Sequence, residues 1–98
     1  MCGIAGYIGK NEIDRIKIDS LKKSMRNRGP DNFSFFNKKT NSNLNVYFFH
    51  SRLSIIDLEE RSNQPFKIGK YILIFNGEIY NYIELKKKLI SEGINFKT

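Results

Sequence analysis

The 98-residue sequence holds one cysteine, one histidine, two prolines and no tryptophan. A lone cysteine excludes an internal disulfide and fits a reducing compartment, so the expected location is cytoplasmic. A lone histidine, His50, with no cysteine at ligand spacing argues against a zinc site, and no metal is expected in the chain. No apolar run approaches the ~20 residues needed to cross a bilayer. The first residues also lack the basic start of a secretory signal, so no membrane partner is expected. No Walker or dinucleotide fingerprint is present, which leaves the chain without a nucleotide site of its own. With 40% apolar residues, collagen-like and low-complexity classes are excluded. The length suits one small domain and is too short for two.

Charge is plentiful and uneven. Seventeen Lys and Arg oppose ten Asp and Glu, a formal net charge of +7. The basic residues fall in short clusters, Lys22-Lys23, Lys38-Lys39 and Lys86-Lys87-Lys88, with acidic residues between them. That pattern reads as solvated faces and loops. A basic nucleic-acid-binding module is the competing reading.

Periodicity predicts a mixed α and β chain. Residues 2–8 read as a buried strand containing small residues. Residues 14–26 read as a helix, with Ile18, Leu21 and Met25 at helical spacing, and Asp19 or Ser20 as alternative starts. Arg28-Gly29-Pro30-Asp31 ends it. Residues 33–36 and 45–49 read as strands around a polar turn at 38–43, and residues 53–58 as their continuation or a buried turn. Residues 66–68 and 71–75 form a hairpin candidate around Gly69-Lys70. A last helix starts at Asn81, with Glu84 completing a capping box. Tyr82, Leu85 and Leu89 give it an apolar stripe, and Gly93 stops it. Residues 95–98 begin something extended.

The chemistry-bearing residues each have two readings. Cys2 becomes terminal if Met1 is removed. Its thiol would then be the nucleophile, and its own α-amine, with an ordinary pKa of ~7.7–8.0, could take the thiol proton. The alternative is a buried structural cysteine. Arg52 lies in an otherwise apolar stretch and needs an anionic partner. Either Asp57 or Asp31 pairs with it, or it forms a fork for a ligand carboxylate. His50 is a base or a satisfied structural histidine. Asn76-Gly77 is either a type I′ hairpin turn or an oxyanion hole, with Glu78 beside it for a ligand ammonium. Arg28 to Asp31 is a turn with a charge pair.

In order along the chain stand Met1-Cys2-Gly3-Ile4-Ala5-Gly6, Arg28-Gly29-Pro30-Asp31, His50-Ser51-Arg52-Leu53-Ser54-Ile55-Ile56-Asp57, Asn63-Gln64-Pro65 and Asn76-Gly77-Glu78-Ile79-Tyr80-Asn81. Together these resemble the class II glutamine amidotransferases, and within them the glutamine-hydrolysing asparagine synthetases. The resemblance covers nearly the whole chain. It implies an α+β N-terminal nucleophile hydrolase fold, two stacked sheets between helical layers, incomplete here because residues 1–98 would be the first portion of the amidotransferase domain. It implies Cys2 as nucleophile with Asn76 and Gly77 as oxyanion hole. Arg52 would grip the α-carboxylate of L-glutamine, Leu53, Ser54, Ile55 and Ile56 would line the pocket, and Glu78 would hold the amino end. Arg28, Asp31 and His50 would shape the site. The implied reaction hydrolyses glutamine through a Cys2 thioester. Its ammonia would go to a C-terminal synthetase domain, absent from this chain, that uses ATP and Mg2+ to amidate aspartate. A homodimer of the full-length enzyme is the expected assembly. A further acidic residue for the glutamine amino group is expected just past Thr98. The competing reading is a non-catalytic remnant with an interaction role.

Overall fold

The computed structural model describes residues 2–97. Met1 and Thr98, on which the expected processing and the last extended segment partly rest, lie outside the described residues. The chain is α+β. Strand β1 (Gly3–Gly9) leads into helix α1 (Arg15–Met25), then β2 (Asn32–Lys39) and β3 (Asn45–Arg52). A short 3-10 turn (Glu60–Ser62) precedes β4 (Phe66–Ile68), β5 (Tyr71–Leu73) and helix α2 (Tyr82–Ser91).

Strands β1, β3 and β2 form an antiparallel sheet with β3 in the centre. Because side chains alternate across a strand, β3 carries Tyr47, Phe49 and Ser51 on one face and Val46, Phe48, His50 and Arg52 on the other. The first face meets α1. Ile18 and Met25 of the helix bury against Tyr47 and Phe49, with Ala5, Tyr7, Ile13, Leu21 and Phe33 packed around them. Tyr47 and Phe49 stack 5.8 Å apart, and the Tyr47 hydroxyl accepts the Ile13 N–H, so its polar end is satisfied at the core margin. Asp14 caps α1 by accepting the Lys17 N–H at 2.9 Å, which settles the start of the helix ahead of Asp19 and Ser20.

The second face meets the β4–β5 hairpin. A groove of about 410 Å³ lies between them, lined by Phe36 and Val46 from one sheet and Lys67 and Ile72 from the other. Gly69 makes the hairpin turn at φ +55°, a conformation glycine adopts without steric cost. On this same face the β1 edge is uncovered, and Ile4 and Ile8 are exposed.

Two local expectations change. Asn81 makes no side-chain cap hydrogen bond, so the capping box does not form. The stop is as expected: the Ile94 N–H reaches the Leu89 carbonyl and the Gly93 N–H that of Ile90, with Gly93 at φ +92°. That pairing is a Schellman motif. Helix α2 buries none of its residues, so the stripe Tyr82, Leu85 and Leu89 has no layer on it among the described residues.

Candidate active site

The end of β3 gathers the sequence motifs. Ser51 donates to the carbonyl oxygens of Met25 at 3.0 Å and Gly29 at 2.5 Å, tying the last turn of α1 to the central strand. A Cβ on Gly29 would stand 2.5 Å from the Arg52 nitrogen, so only glycine permits this approach. Asp31 then closes the junction twice. Its N–H donates to the Arg52 carbonyl at 3.0 Å, and its carboxylate accepts the Ser54 N–H at 2.7 Å. Arg28 lies on the same turn, its stem in contact range of Gly3. The turn is as expected, but no charge pair joins its members among the described ion pairs.

Cys2 stands one step beyond the Gly3–Ser51 pair of the β1–β3 ladder. Its sulfur accepts the Leu53 N–H at 3.3 Å and lies 3.7 Å from the Leu53 carbonyl oxygen. The side chain is half-buried rather than enclosed in the core. The nucleophile candidate is therefore fixed against the first residue of the loop that follows Arg52.

Arg52 is buried, and its partners differ from those the sequence suggested. Neither Asp57 nor Asp31 gives it a carboxylate. Nη1 donates to the Glu59 carbonyl at 3.0 Å and to Asn63 Oδ1 at 2.9 Å. Nη2 donates to the carbonyls of Ile56, at 3.2 Å, and Asp57. A guanidinium carries four terminal N–H donors, and all four are engaged by the 53–63 loop. The Asp57 carboxylate turns instead to Arg61, 3.0 Å away.

This cage overturns the buried-turn reading of residues 53–58. With the carbonyls drawn inward to Arg52, the side chains face outward, and Ile55, Ile56 and Leu58 are 71%, 66% and 74% exposed. Leu53 and Ser54 remain half-buried beside Cys2.

His50 is fully buried, two residues before Arg52 on the same face of β3. Neither ring nitrogen has a hydrogen-bond partner among the described residues, so the satisfied-histidine reading does not hold here. Burial pushes the imidazole below the usual histidine range. The Phe75 backbone, near the ring but outside hydrogen-bonding geometry, opposes that shift, and the Arg52 charge adds to it.

Asn76-Gly77 is not a hairpin turn. A type I′ turn requires positive φ at both central residues. Neither residue adopts it, and the chain runs on to α2 instead of a returning strand. Asn76 is half-buried, while Gly77 and Glu78 are exposed. A Cβ on Gly77 would come within 2.8 Å of the Phe75 ring. The segment is anchored by Gln64, whose Oε1 accepts the Phe75 N–H at 2.6 Å.

The structure thus brings Cys2, Arg52, Leu53, Ser54, Asp31 and the turn at Arg28 directly together. Asn76, Gly77 and Glu78 are not brought to Cys2 or Arg52 by any recorded contact; they follow Phe75, whose N–H Gln64 holds. Asn63 and Gln64 hold parts of the site, and their residue types gave no sign of it; only their place in the ordered motifs did. A larger cleft of about 770 Å³ opens on the α1 side of the same junction, lined by Lys22, Lys23, Arg26, Gly29, Asp31 and Ser51 among others; Cys2 is not among its lining residues. Among the described residues no group of three or more His, Cys, Asp or Glu side chains is arranged to hold a metal ion.

The profile of the family described as "Glutamine amidotransferase domain" matches residues 1–98. Among curated proteins, asparagine synthetase (glutamine-hydrolyzing) 1 of Bacillus subtilis (strain 168) is 37% identical, aligned over 100% of this chain and 16% of its own length. Asparagine synthetase (glutamine-hydrolyzing) 3 of the same organism is 33% identical over 99% of the chain and 16% of its length. Asparagine synthetase (glutamine-hydrolyzing) 1 of Arabidopsis thaliana is 34% identical over 91% of the chain and 15% of its length. The chain therefore spans about a sixth of these relatives. No solved structure matches. With its whole length matched, the chain belongs to the glutamine amidotransferase domain family, and the relatives it resembles are named as glutamine-hydrolysing asparagine synthetases.

Proposed function

We propose that residues 1–98 form the first portion of a glutaminase domain with the N-terminal nucleophile hydrolase fold, serving an asparagine synthetase-like enzyme. One observation carries the reading: the Cys2 sulfur is held by the amide of Leu53, the residue that directly follows the buried Arg52. A nucleophile and a carboxylate-binding group then share one end of the sheet. The helix–sheet–sheet layering supports the fold assignment.

Removal of Met1 frees the Cys2 amine, which takes the thiol proton. The thiolate adds to the side-chain amide carbon of L-glutamine, and the oxygen becomes an oxyanion facing Asn76 and the Gly77 N–H. Collapse expels ammonia, which leaves with the proton from the amine. Water then cleaves the γ-glutamyl thioester, releasing glutamate and restoring the thiol. Arg52 binds the α-carboxylate by exchanging loop acceptors for carboxylate oxygens, with Leu53, Ser54, Ile55 and Ile56 lining the entry. Glu78 takes the ammonium group. The ammonia goes on to an ATP- and Mg2+-dependent amidation of aspartate in a synthetase domain outside this chain, and no residue here is assigned to either cofactor. The assembly is a cytoplasmic homodimer of the longer protein.

The intact mass of the protein purified from its cell tests this first, together with its glutamine hydrolysis before and after Cys2→Ala. A mass that starts at Cys2, with activity abolished by Cys2→Ala, is the expected result. A retained Met1 leaves no free amine on Cys2 and sinks the mechanism.

A further inference from the structure

Asn63 and Gln64 are adjacent, yet their side chains bond to two different parts of the site. Asn63 Oδ1 accepts from Arg52 Nη1 at 2.9 Å. Gln64 Oε1 accepts from the Phe75 N–H at 2.6 Å. Both line a groove of about 250 Å³ between β2 and the β4–β5 hairpin, with Phe36 and Ile72 as apolar walls. That groove is the seam between the two sheets.

The second bond has an unusual position. Strand β5 ends at Leu73, so Phe75 has left the β4–β5 ladder. Its amide is held by a side chain alone, and Asn76 and Gly77 follow at once. Among the described residues no other recorded hydrogen bond engages the backbone of Phe75, Asn76 or Gly77; the next lies at Ile79, whose carbonyl accepts the Tyr82 N–H. On the Arg52 side, Asn63 is the one side chain among its four acceptors; the others are backbone carbonyls.

We infer that Asn63 and Gln64 are positioning residues for the proposed glutaminase reaction. One side chain sets the Arg52 guanidinium and the next sets the Phe75-Asn76-Gly77 backbone, so that the carboxylate grip and the oxyanion donors keep a fixed separation. The inference rests on the glutaminase reading for its chemistry but not for its geometry. Glutamine is short, and its two ends must be met at once. A displacement of about 1 Å at the reacting end costs on the order of a hundredfold in rate. Two adjacent residues bonded to different parts of the site give a short spacer for that purpose. The arrangement predicts a division of labour: Gln64 acts on the transition state through the oxyanion donors, and Asn63 on substrate binding through Arg52.

The experiment uses the full-length protein and three variants, Gln64→Leu, Gln64→Glu and Asn63→Ala. Hydrogen exchange at the Phe75 amide is read at residue resolution, alongside kcat and KM for glutamine hydrolysis. Gln64→Leu is expected to raise Phe75 exchange at least about tenfold and to lower kcat by about ten- to a hundredfold, with KM changed less than about threefold. Gln64→Glu keeps an acceptor oxygen and is expected to retain both the protection and most of the kcat. Asn63→Ala is expected to raise KM about fivefold or more with kcat nearly kept. Unchanged Phe75 exchange in Gln64→Leu overturns the inference, as does a uniform loss of kcat and rise of KM in Asn63→Ala and Gln64→Leu alike. If the wild-type protein hydrolyses no glutamine, the glutaminase reading fails. The Phe75 exchange then still decides whether Gln64 holds the segment.

Discussion

The Gly29 carbonyl oxygen lies 2.5 Å from the Ser51 hydroxyl, and the Gly29 α-carbon presses on the Ser51–Arg52 peptide so closely that no Cβ fits between them. The glycine is required by proximity and not by its backbone angle, since its φ is not in the positive range. The end of α1 is thereby seated on the strand that carries Arg52. Gly29→Ala must push backbone against backbone, which costs about 3 kcal/mol in a packed junction. In a domain of this size that lowers Tm by about 12 °C or more. Thermal unfolding of the variant measures it. Gly69→Ala is the control: its Cβ would meet nothing within 4 Å, so only the φ of +55° is penalised and the loss is about 1 kcal/mol. Equal losses in the two variants would remove the close-approach argument.

Stability falls as the solution is acidified below the ordinary histidine range. His50 is held in its neutral form by burial, so its pKa is lower in the folded than in the unfolded chain. Between those two values the unfolded state binds more protons, and the slope of stability against pH is positive. The contribution is fully present above about pH 6.5, the unfolded value, and is lost as the pH falls from there toward the folded value. The groups facing the ring include Arg52, whose charge acts in the same direction, and the Phe75 backbone, which opposes it. Denaturant unfolding at pH 7.5 and pH 5.5 should show the drop. His50→Gln, which does not titrate, should show a smaller one. A wild-type protein as stable at the lower pH as at the higher one contradicts this account.

Much of the α1 side was legible in the sequence because its signals are local. Ile18, Leu21 and Met25 recur at helical spacing, the helical reading begins at about Asp14, and the strand read at 45–49 holds the buried Tyr47 and Phe49. The 53–58 segment was not legible. Its Leu, Ile and Ile suggest burial, but a buried guanidinium collects the carbonyls and turns those side chains outward. No periodicity encodes that. The same holds for Asn76-Gly77, where dipeptide preference points to a hairpin and only the tertiary anchor at Gln64 sets another path. The candidate site residues stand out in the sequence only as an ordered set of motifs, because each alone also has a structural reading, which for Cys2, His50 and Asn76-Gly77 is the stronger one. The bonds between Arg52 and Asn63 and between Phe75 and Gln64 join residues 11 apart in the chain, and no local pattern announces them.

Asn76→Ala separates an oxyanion role from a structural one. The side chain is half-buried and makes no hydrogen bond among the described residues, so its loss leaves no partner there unpaired. Stability should change by less than about 0.5 kcal/mol. If the amide faces the developing oxyanion, kcat for glutamine hydrolysis falls by about 10²–10³, with KM nearly unchanged. Steady-state kinetics and a denaturation curve on the same preparation are sufficient. A variant with near-normal kcat excludes Asn76 from the oxyanion hole.

Replacing Arg52 by lysine tests whether the 53–63 loop is built by the guanidinium or merely surrounds it. Four N–H donors in a planar fork reach acceptors spread from Ile56 to Asn63. A lysine ammonium keeps the charge but has three donors on one atom and cannot span them. At least one buried carbonyl then loses its partner, at a cost of about 1–3 kcal/mol. The loop should open while the α1 core, which shares none of these bonds, stays folded. Arg61 lies exposed within that loop, its side chain tied to Asp57. Limited trypsin digestion should therefore cut the Arg52→Lys protein first after Arg61, several-fold faster than the wild type. L-glutamine should protect wild-type Arg61 differently from the variant, because only a guanidinium can exchange its loop acceptors for a bidentate carboxylate. If the cleavage after Arg61 is equally slow in both proteins, the loop holds its shape without the guanidinium, and Arg52 is left free for a ligand in the resting state.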